Sequence, residues 1–178
     1  MTNGKVKVAT VWLDGCSGCH MSILDLDELL LTVVEKAALV YGPLVDAQEY
    51  PEGVDVCLVE GAVSSQDDLK LIQKIRQRTR VLVALGDCAV TSNVPSMRNW
   101  VPVKKLLERG YIENASETLQ IPNDGVPALL KHASPVGAVV PVDAHIPGCP
   151  PPAAAIGKAL LELASGRQPQ LAGMVKFG

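Results

Sequence analysis

The sequence predicts one α/β domain over residues 1–178, built on a mainly parallel sheet. Two observations lead to this fold class. Short, strongly apolar segments alternate with amphipathic helical segments, and turns that contain glycine or proline separate them. Apolar residues make up 48% of the chain and charged residues 20%, so a chain of this length can bury a core of its own.

The first half of the chain carries the clearest pattern. The predicted elements are strands at residues 5–13, 55–60 and 80–85 and helices at residues 20–40 and 66–78. A turn containing Gly15 and Gly18 separates the first strand from the first helix, and Gly61 ends the second strand. Because helices join successive strands, we expect right-handed crossovers within a parallel sheet.

The second half is less regular, because prolines interrupt residues 89–135. The predicted elements are a short helix at 102–109, a strand at 138–146 interrupted by Pro141, and a helix that ends near Ala164. Pro151 or Pro152 opens this last helix, as proline prefers the first helical turn. From Gly166 onward the chain is expected to be extended and to lie on a partner.

The charge of the chain narrows the classes of partner. The net charge is -3 and the basic residues form no long run, which argues against nucleic acid because binding its backbone requires a basic face. The first seven residues include no apolar signal region, no twin-arginine pair precedes the fold, and the apolar residues 7–13 are too short to span a bilayer. We therefore expect a cytoplasmic protein without membrane insertion.

Four of the five cysteines follow predicted strands. Cys16 and Cys19 form a close pair after the first strand, Cys88 follows the third, and Cys149 follows the last extended stretch. Ligands of such sheets bind at the carboxyl ends of the strands, so the four thiols are expected at one edge. Cys57 lies inside an apolar strand and is interpreted as a small buried hydrophobic residue.

Four cysteine sulfurs at one edge predict an iron–sulfur cluster, which proteins normally hold with four thiolates. The Cys-x-x-Cys spacing lets one turn present two sulfurs, and Gly15 and Gly18 allow the tight backbone that this requires. Cys19 is expected at the start of the first helix, whose dipole favours the thiolate.

Two other sites use the same residue types. Structural zinc usually takes two Cys-x-x-Cys pairs at short spacing, whereas here one pair is followed by two distant single cysteines. A thioredoxin-like dithiol would use the pair at the start of a helix, but it leaves Cys88 and Cys149 without a role.

Four motifs spread over the chain carry a family resemblance. They are Trp12-Leu-Asp-Gly-Cys-Ser-Gly-Cys-His20, Val59-Glu-Gly-Ala-Val63, Leu85-Gly-Asp-Cys-Ala89 and Pro147-Gly-Cys-Pro-Pro151. With them the chain resembles the small subunit of NiFe hydrogenases, specifically the short cytoplasmic type of NAD-reducing, bidirectional enzymes. The resemblance implies a flavodoxin-like, three-layer fold. It also implies that Cys16, Cys19, Cys88 and Cys149 hold one proximal 4Fe–4S cluster.

The same resemblance implies the partners. The NiFe site would lie in a separate large subunit, and electrons would pass to diaphorase subunits with further iron–sulfur clusters and flavin, where NAD is reduced. The related relay subunit of respiratory complex I is the alternative. It has two adjacent cysteines in the first motif, whereas Ser17 and Gly18 separate them here, which favours hydrogenase.

Two residues next to the cysteines are candidates for a supporting role. Glu60 ends a buried strand and could orient groups near the cluster, or it could be a partly solvated acid at the strand end. His20 follows Cys19 and could hydrogen-bond near the cluster, or it could simply start the helix. FMN is a less favoured cofactor, because the cysteine pair occupies the loop where a flavodoxin-like fold usually binds the flavin phosphate.

Overall fold

The computed structural model describes residues 4–178, so the first three residues of the predicted domain lie outside it. Its strands are β1 (Val6–Trp12), β2 (Ala37–Tyr41), β3 (Val54–Glu60), β4 (Val63–Ser65), β5 (Thr79–Leu85), β6 (Leu129–Ser134) and β7 (Ala144–Ile146). Five of them form a parallel sheet in the order β2-β1-β3-β5-β7. By position along the chain this is the flavodoxin-like order, which confirms the predicted fold class.

Helices cover both faces of this sheet. They are α1 (Gly18–Leu24), α2 (Leu29–Lys36), α3 (Gln66–Arg78), α4 (Gly86–Thr91), α5 (Val103–Glu108) and α6 (Ala153–Ala164). α1, α2 and α6 pack on one face against Val56 and Leu58, and α3 packs on the other face beside Cys57 and Val59. Alternate residues of β3 thus point to opposite cores, which gives the three layers.

The register of the sheet brings four strand ends to one level. Trp12 pairs with Glu60, Glu60 with Leu85, and Leu85 with Ile146. The segments that follow β1, β3, β5 and β7 therefore leave the sheet side by side at its carboxyl edge. Three of them carry the cysteines of interest, and the other begins directly after Glu60.

Most of the predicted elements are present. The strands at 5–13, 55–60 and 80–85 appear as β1, β3 and β5, and α3 spans residues 66–78 as expected. A capping box fixes the start of α3: the Ser65 hydroxyl accepts the Asp68 N–H at 3.1 Å, and the Asp68 carboxylate accepts the Ser65 N–H at 2.8 Å. Pro152 precedes α6.

The predicted helix at 20–40 is interrupted between Leu24 and Leu29, and it is wrong over its last four residues. α1 ends at Leu24, Asp27 adopts a left-handed backbone with φ 47°, and α2 ends at Lys36. Residues 37–41 form β2, which pairs with β1. The apolar spacing suited a helix, but pairing with β1 determines the conformation.

Two other expectations need correction. The strand predicted at 138–146 is limited to Ala144–Ile146, while β4 and β6 form an antiparallel pair that was not predicted. The segment after Gly166 lies on this chain itself, because Leu171 is buried and Met174 and Val175 pack against the core beside α6.

Candidate functional site

The structure brings Cys16, Cys19, Cys88 and Cys149 to the carboxyl edge of the sheet. Cys16 lies in the loop after β1, Cys19 in the first turn of α1, Cys88 in α4, and Cys149 between β7 and α6. Their thiols are close enough that the other three each raise the pKa of Cys19. All five cysteines are free thiols.

Gly86 makes room for the most buried of these thiols. A Cβ atom at this position would lie 2.2 Å from Cys19 Sγ, and the backbone φ of +82° is one that residues with side chains rarely adopt. The Gly-Asp-Cys stretch after β5 therefore starts with glycine because the Cys19 sulfur occupies the space beside it.

The loop that carries Cys149 is held by Asp87. The Gly148 N–H donates to Asp87 Oδ1 at 2.6 Å, and the Asp87 N–H donates to the Gly148 carbonyl at 2.9 Å. Asn93 Nδ2 donates to Cys149 Sγ at 3.7 Å. The sequence reasoning missed both Asp87 and Asn93. The position of Asp87 directly before the candidate ligand Cys88 could have identified it from sequence, whereas no sequence feature marks Asn93.

Glu60 connects the end of β3 to the start of α1. Its carboxylate is 1% exposed and accepts the N–H groups of Cys19 at 3.3 Å and His20 at 3.0 Å. It also contacts His20 Nδ1. Glu60 is therefore buried and fully engaged, so the interpretation as a partly solvated acid at the strand end is wrong. Its charge stabilises the positive end of α1.

The surroundings of Cys19 and Cys88 raise the pKa of both thiols and so favour their protonated forms. Burial raises the pKa of Cys19 above its usual value, and Glu60 and the neighbouring thiols raise it further. Burial also raises the pKa of Cys88, although a hydrogen bond from the Val94 backbone opposes the effect. The expectation that the helix dipole would favour a Cys19 thiolate is therefore wrong, because burial and negative neighbours outweigh it.

Cys57 takes no part in this site. It is fully buried within β3, where burial raises its pKa to about 12. Within residues 4–178, no three histidine, cysteine or acidic side chains are arranged to hold a single metal ion.

The site opens to the surface on one side. Cys16 and Cys149 are exposed, whereas Cys19 is buried. Large apolar side chains are also exposed on the segments next to the cysteines, namely those of Trp12, Met21, Val94 and Met97. An apolar cavity of about 450 Å³ adjoins the segment of the cysteine pair and lies between β1, β2, α1 and α2, with Ser17 and His20 among its lining residues.

No helix within residues 4–178 combines the length and apolar character that crossing a membrane would require. A family model described as "NADH ubiquinone oxidoreductase, 20 Kd subunit" matches residues 16–163, a range that includes all four cysteines of the site.

Individual relatives are similar over nearly the whole chain. The chain is 39% identical over 168 residues to one of the subunits of the vhu F420-non-reducing hydrogenase of Methanocaldococcus jannaschii, covering 93% of this chain and 58% of that protein. It is 38% identical over 169 residues to the delta subunit of the NAD-reducing hydrogenase HoxS of Cupriavidus necator, covering 92% of this chain and 81% of that protein. The chain thus spans little more than half the length of the first relative.

A solved structure is similar from end to end. It is the crystal structure of an NAD⁺-reducing NiFe hydrogenase in its H₂-reduced state, and one of its chains superposes with a TM-score of 0.93 and 35% identity. The superposition covers 98% of this chain and 99% of that one.

Proposed function

The chain belongs to the NADH ubiquinone oxidoreductase 20 Kd subunit family and, within it, to the small subunits of NAD-reducing NiFe hydrogenases, and from this premise we propose its role. It is the iron–sulfur electron-transfer subunit of a hydrogenase that reduces NAD. It relays electrons between a NiFe site in a large partner subunit and a diaphorase module with further iron–sulfur clusters and flavin. The names of the Cupriavidus necator relative and of the solved structure support NAD as the acceptor.

One observation carries the proposal: four thiols from three segments of the chain lie together at the level edge of the sheet. Cys16, Cys19, Cys88 and Cys149 would hold one proximal 4Fe–4S cluster. Such a cluster, when bound, accepts and passes on one electron at a time. The donor set fits the cluster, since all four side chains are free thiols and the missing side chain of Gly86 makes room for the Sγ of Cys19 at this edge.

The residues around the thiols would hold and shield this site. Glu60 fixes the Cys19 turn by accepting two of its N–H groups, and His20 pairs with the same carboxylate. We assign both residues to this supporting role. The Asn93 amide donates to the Cys149 sulfur, and hydrogen bonds of this kind raise the potential of a bound cluster.

The geometry disfavours FMN in the loop between β1 and α1. A flavin phosphate at this point would need free N–H groups at the start of the helix. Glu60 already occupies the N–H groups of Cys19 and His20, and its buried carboxylate would repel a phosphate. We therefore propose the 4Fe–4S cluster as the one cofactor of this chain.

The partners would dock where the site opens. The exposed Cys16 and Cys149, together with exposed apolar side chains on the flanking segments, form a surface that a protein partner would cover. We assign this surface to the NiFe large subunit and treat residues 1–178 as one domain. Because NAD is a cytoplasmic coenzyme and the chain contains only free thiols, we place the complex in the cytoplasm.

The proposal is tested by metal analysis of the native complex, isolated anaerobically through a tag on this chain. We expect nickel together with iron and sulfide. Replacing any one of Cys16, Cys19, Cys88 or Cys149 by serine should lower the iron and sulfide content and remove one cluster signal from the electron paramagnetic resonance (EPR) spectrum. The matched control is Cys57→Ala, which removes a buried cysteine that lies outside the site.

The other outcomes separate the alternatives. Iron and sulfide without nickel would point to a complex I-type relay. Neither metal under strictly anaerobic handling would overturn the cluster and favour the dithiol function, which needs Cys16 and Cys19 alone. An iron content that falls equally in Cys57→Ala would contradict the assignment of the four ligands.

A further inference from the structure

Asp87 joins three segments of the chain that are far apart in sequence. It directly precedes Cys88, and its Oδ1 accepts the N–H of Gly148, the residue before Cys149. Its Oδ2 accepts the N–H of Gly178 at 2.8 Å. One carboxylate therefore contacts the Cys88 segment, the Cys149 loop and the segment of residues 166–178.

The Asp87 carboxylate is buried, and other interactions must offset the cost of removing it from water. Asp87 is 3% exposed, and none of the ion pairs among residues 4–178 includes it. Burying a charge without a cation is costly unless hydrogen bonds compensate for the lost water. Here the compensation comes from backbone N–H groups of other segments, which cannot move away without leaving the charge unsatisfied.

The 166–178 segment reaches Asp87 along a defined route. The Gln170 N–H donates to Glu162 on α6 at 2.8 Å, Leu171 is buried, and Val175 packs on the core. Gly178 lies beside Cys149, since a Cβ on this glycine would lie 3.0 Å from the Cβ of Cys149. The segment therefore covers part of the Cys149 loop.

We propose that Asp87 is a positioning residue of the iron–sulfur site. Its carboxylate fixes the Cys149 loop against Cys88 and seats the 166–178 segment beside Cys149, where the segment limits access of water and oxygen. The inference rests on the proposed function, because it takes Cys88 and Cys149 as cluster ligands. The Asp87 carboxylate also places a negative charge next to Cys88, and this charge lowers the reduction potential of the cluster.

The substitution Asp87→Asn tests this role with almost no change in shape. The amide keeps one acceptor oxygen but turns an NH₂ donor toward the second N–H, so one contact is lost and the charge is removed. The matched control is Asp143→Asn. Asp143 also links two segments, accepting the Leu82 N–H at 2.7 Å and an Arg76 N–H at 2.6 Å, but it lies at the amino end of β7, whereas the cysteines lie beyond the carboxyl ends of the strands.

Three measurements are made on the anaerobically isolated complex. In hydrogen exchange, we expect peptides covering residues 144–152 and 168–178 to exchange about tenfold faster in Asp87→Asn. In an EPR redox titration, the signal that Cys149→Ser removes should shift to a more positive potential. Iron loss in air should be several-fold faster. Asp143→Asn should leave all three at the values of the unsubstituted complex.

The possible results distinguish a failure of this inference from a failure of the proposed function. Unchanged exchange and potential in Asp87→Asn would overturn it, as would equal changes in Asp143→Asn. If the Asp87→Asn complex does not assemble, Leu171→Ala tests the inference instead, because this substitution loosens the 166–178 segment and leaves Asp87 intact. Faster iron loss in this variant would support the inference, and an unchanged rate would overturn it. A complex without iron before any substitution would instead refute the proposed function.

Discussion

The substitution Gly86→Ala gives the sharpest test of how the site is packed. The added Cβ would lie 2.2 Å from Cys19 Sγ, whereas nonbonded heavy atoms ordinarily approach to about 3.5 Å. The turn after β5 and the first turn of α1 would therefore have to separate by about 1.3 Å. Both segments carry candidate ligands, so the change acts on the site directly.

The expected cost has two parts. A side chain on a left-handed backbone costs about 1–2 kcal/mol, and overpacking a filled site costs about 1–3 kcal/mol more. We therefore expect Gly86→Ala to destabilise the chain by about 2–5 kcal/mol. Gly53 provides the matched control, because its φ is +65° and no atom lies within 4 Å of a Cβ at that position. Gly53→Ala should therefore cost only the first part.

The assay is thermal unfolding of the anaerobic complex, together with the iron retained per chain in the presence of a chelator. The midpoint should fall by roughly 2–4 °C for each kcal/mol, so Gly86→Ala should melt well below Gly53→Ala. Gly86→Ala should also lose iron faster, whereas Gly53→Ala should retain it. Equal melting points and equal iron retention in the two variants would refute the argument that the Cys19 sulfur fills this space.

Three further outcomes follow from the contacts of the site. Glu60→Gln removes a buried charge next to Cys19, so the reduction potential should rise, at a stability cost of about 1–3 kcal/mol; an unchanged EPR redox titration would contradict this. Asn93→Ala removes the donor to the Cys149 sulfur, so the reduction potential should fall and the free energy of unfolding should decrease by about 1 kcal/mol. A rise of the potential in the same titration would contradict this prediction. Alkylation of the complex after iron removal should modify the exposed Cys16 and Cys149 first, while the buried Cys19 and Cys57, whose pKa values are both raised, react only after unfolding; mass spectrometry would reveal early modification of Cys19 or Cys57.

Local sequence was sufficient for the elements whose surroundings are uniform. β3 is buried on both faces, and the apolar residues from Val56 to Val59 predicted a buried strand. α3 has one apolar face and a capping box that can be read from Ser65 and Asp68, so both of its ends matched the prediction. In these cases the local preference and the tertiary environment agree.

β2 shows why local sequence failed elsewhere. Ala37–Tyr41 has the apolar spacing of a continuing helix, and it becomes a strand because the edge of β1 is free to pair with it. A segment whose conformation depends on a partner strand cannot be assigned from its own residues.

Some residues of the candidate site could likewise be predicted from sequence, and others could not. The four cysteines could be selected from sequence because thiols after parallel strands meet at one edge. Asp87 and Asn93 could not, because their roles depend on distances to Gly148, Gly178 and Cys149 that only the folded chain defines. Glu60 was identified as a candidate, but its buried contacts with the start of α1 became evident only in the structure.

Glu60 and Asp87 hold the chain in place at two sides of the site by the same kind of contact. Each is a nearly fully buried carboxylate that accepts two backbone N–H groups from segments far away in sequence. Hydrogen bonds to a charged acceptor are about twice as strong as neutral ones, so the Cys19 turn and the Cys149 loop are held by the protein itself. A zinc finger, by contrast, obtains its fold from the metal. In the proposed cluster site, the same two charges would lower the reduction potential, so the groups that hold the candidate ligands would also favour the oxidised state.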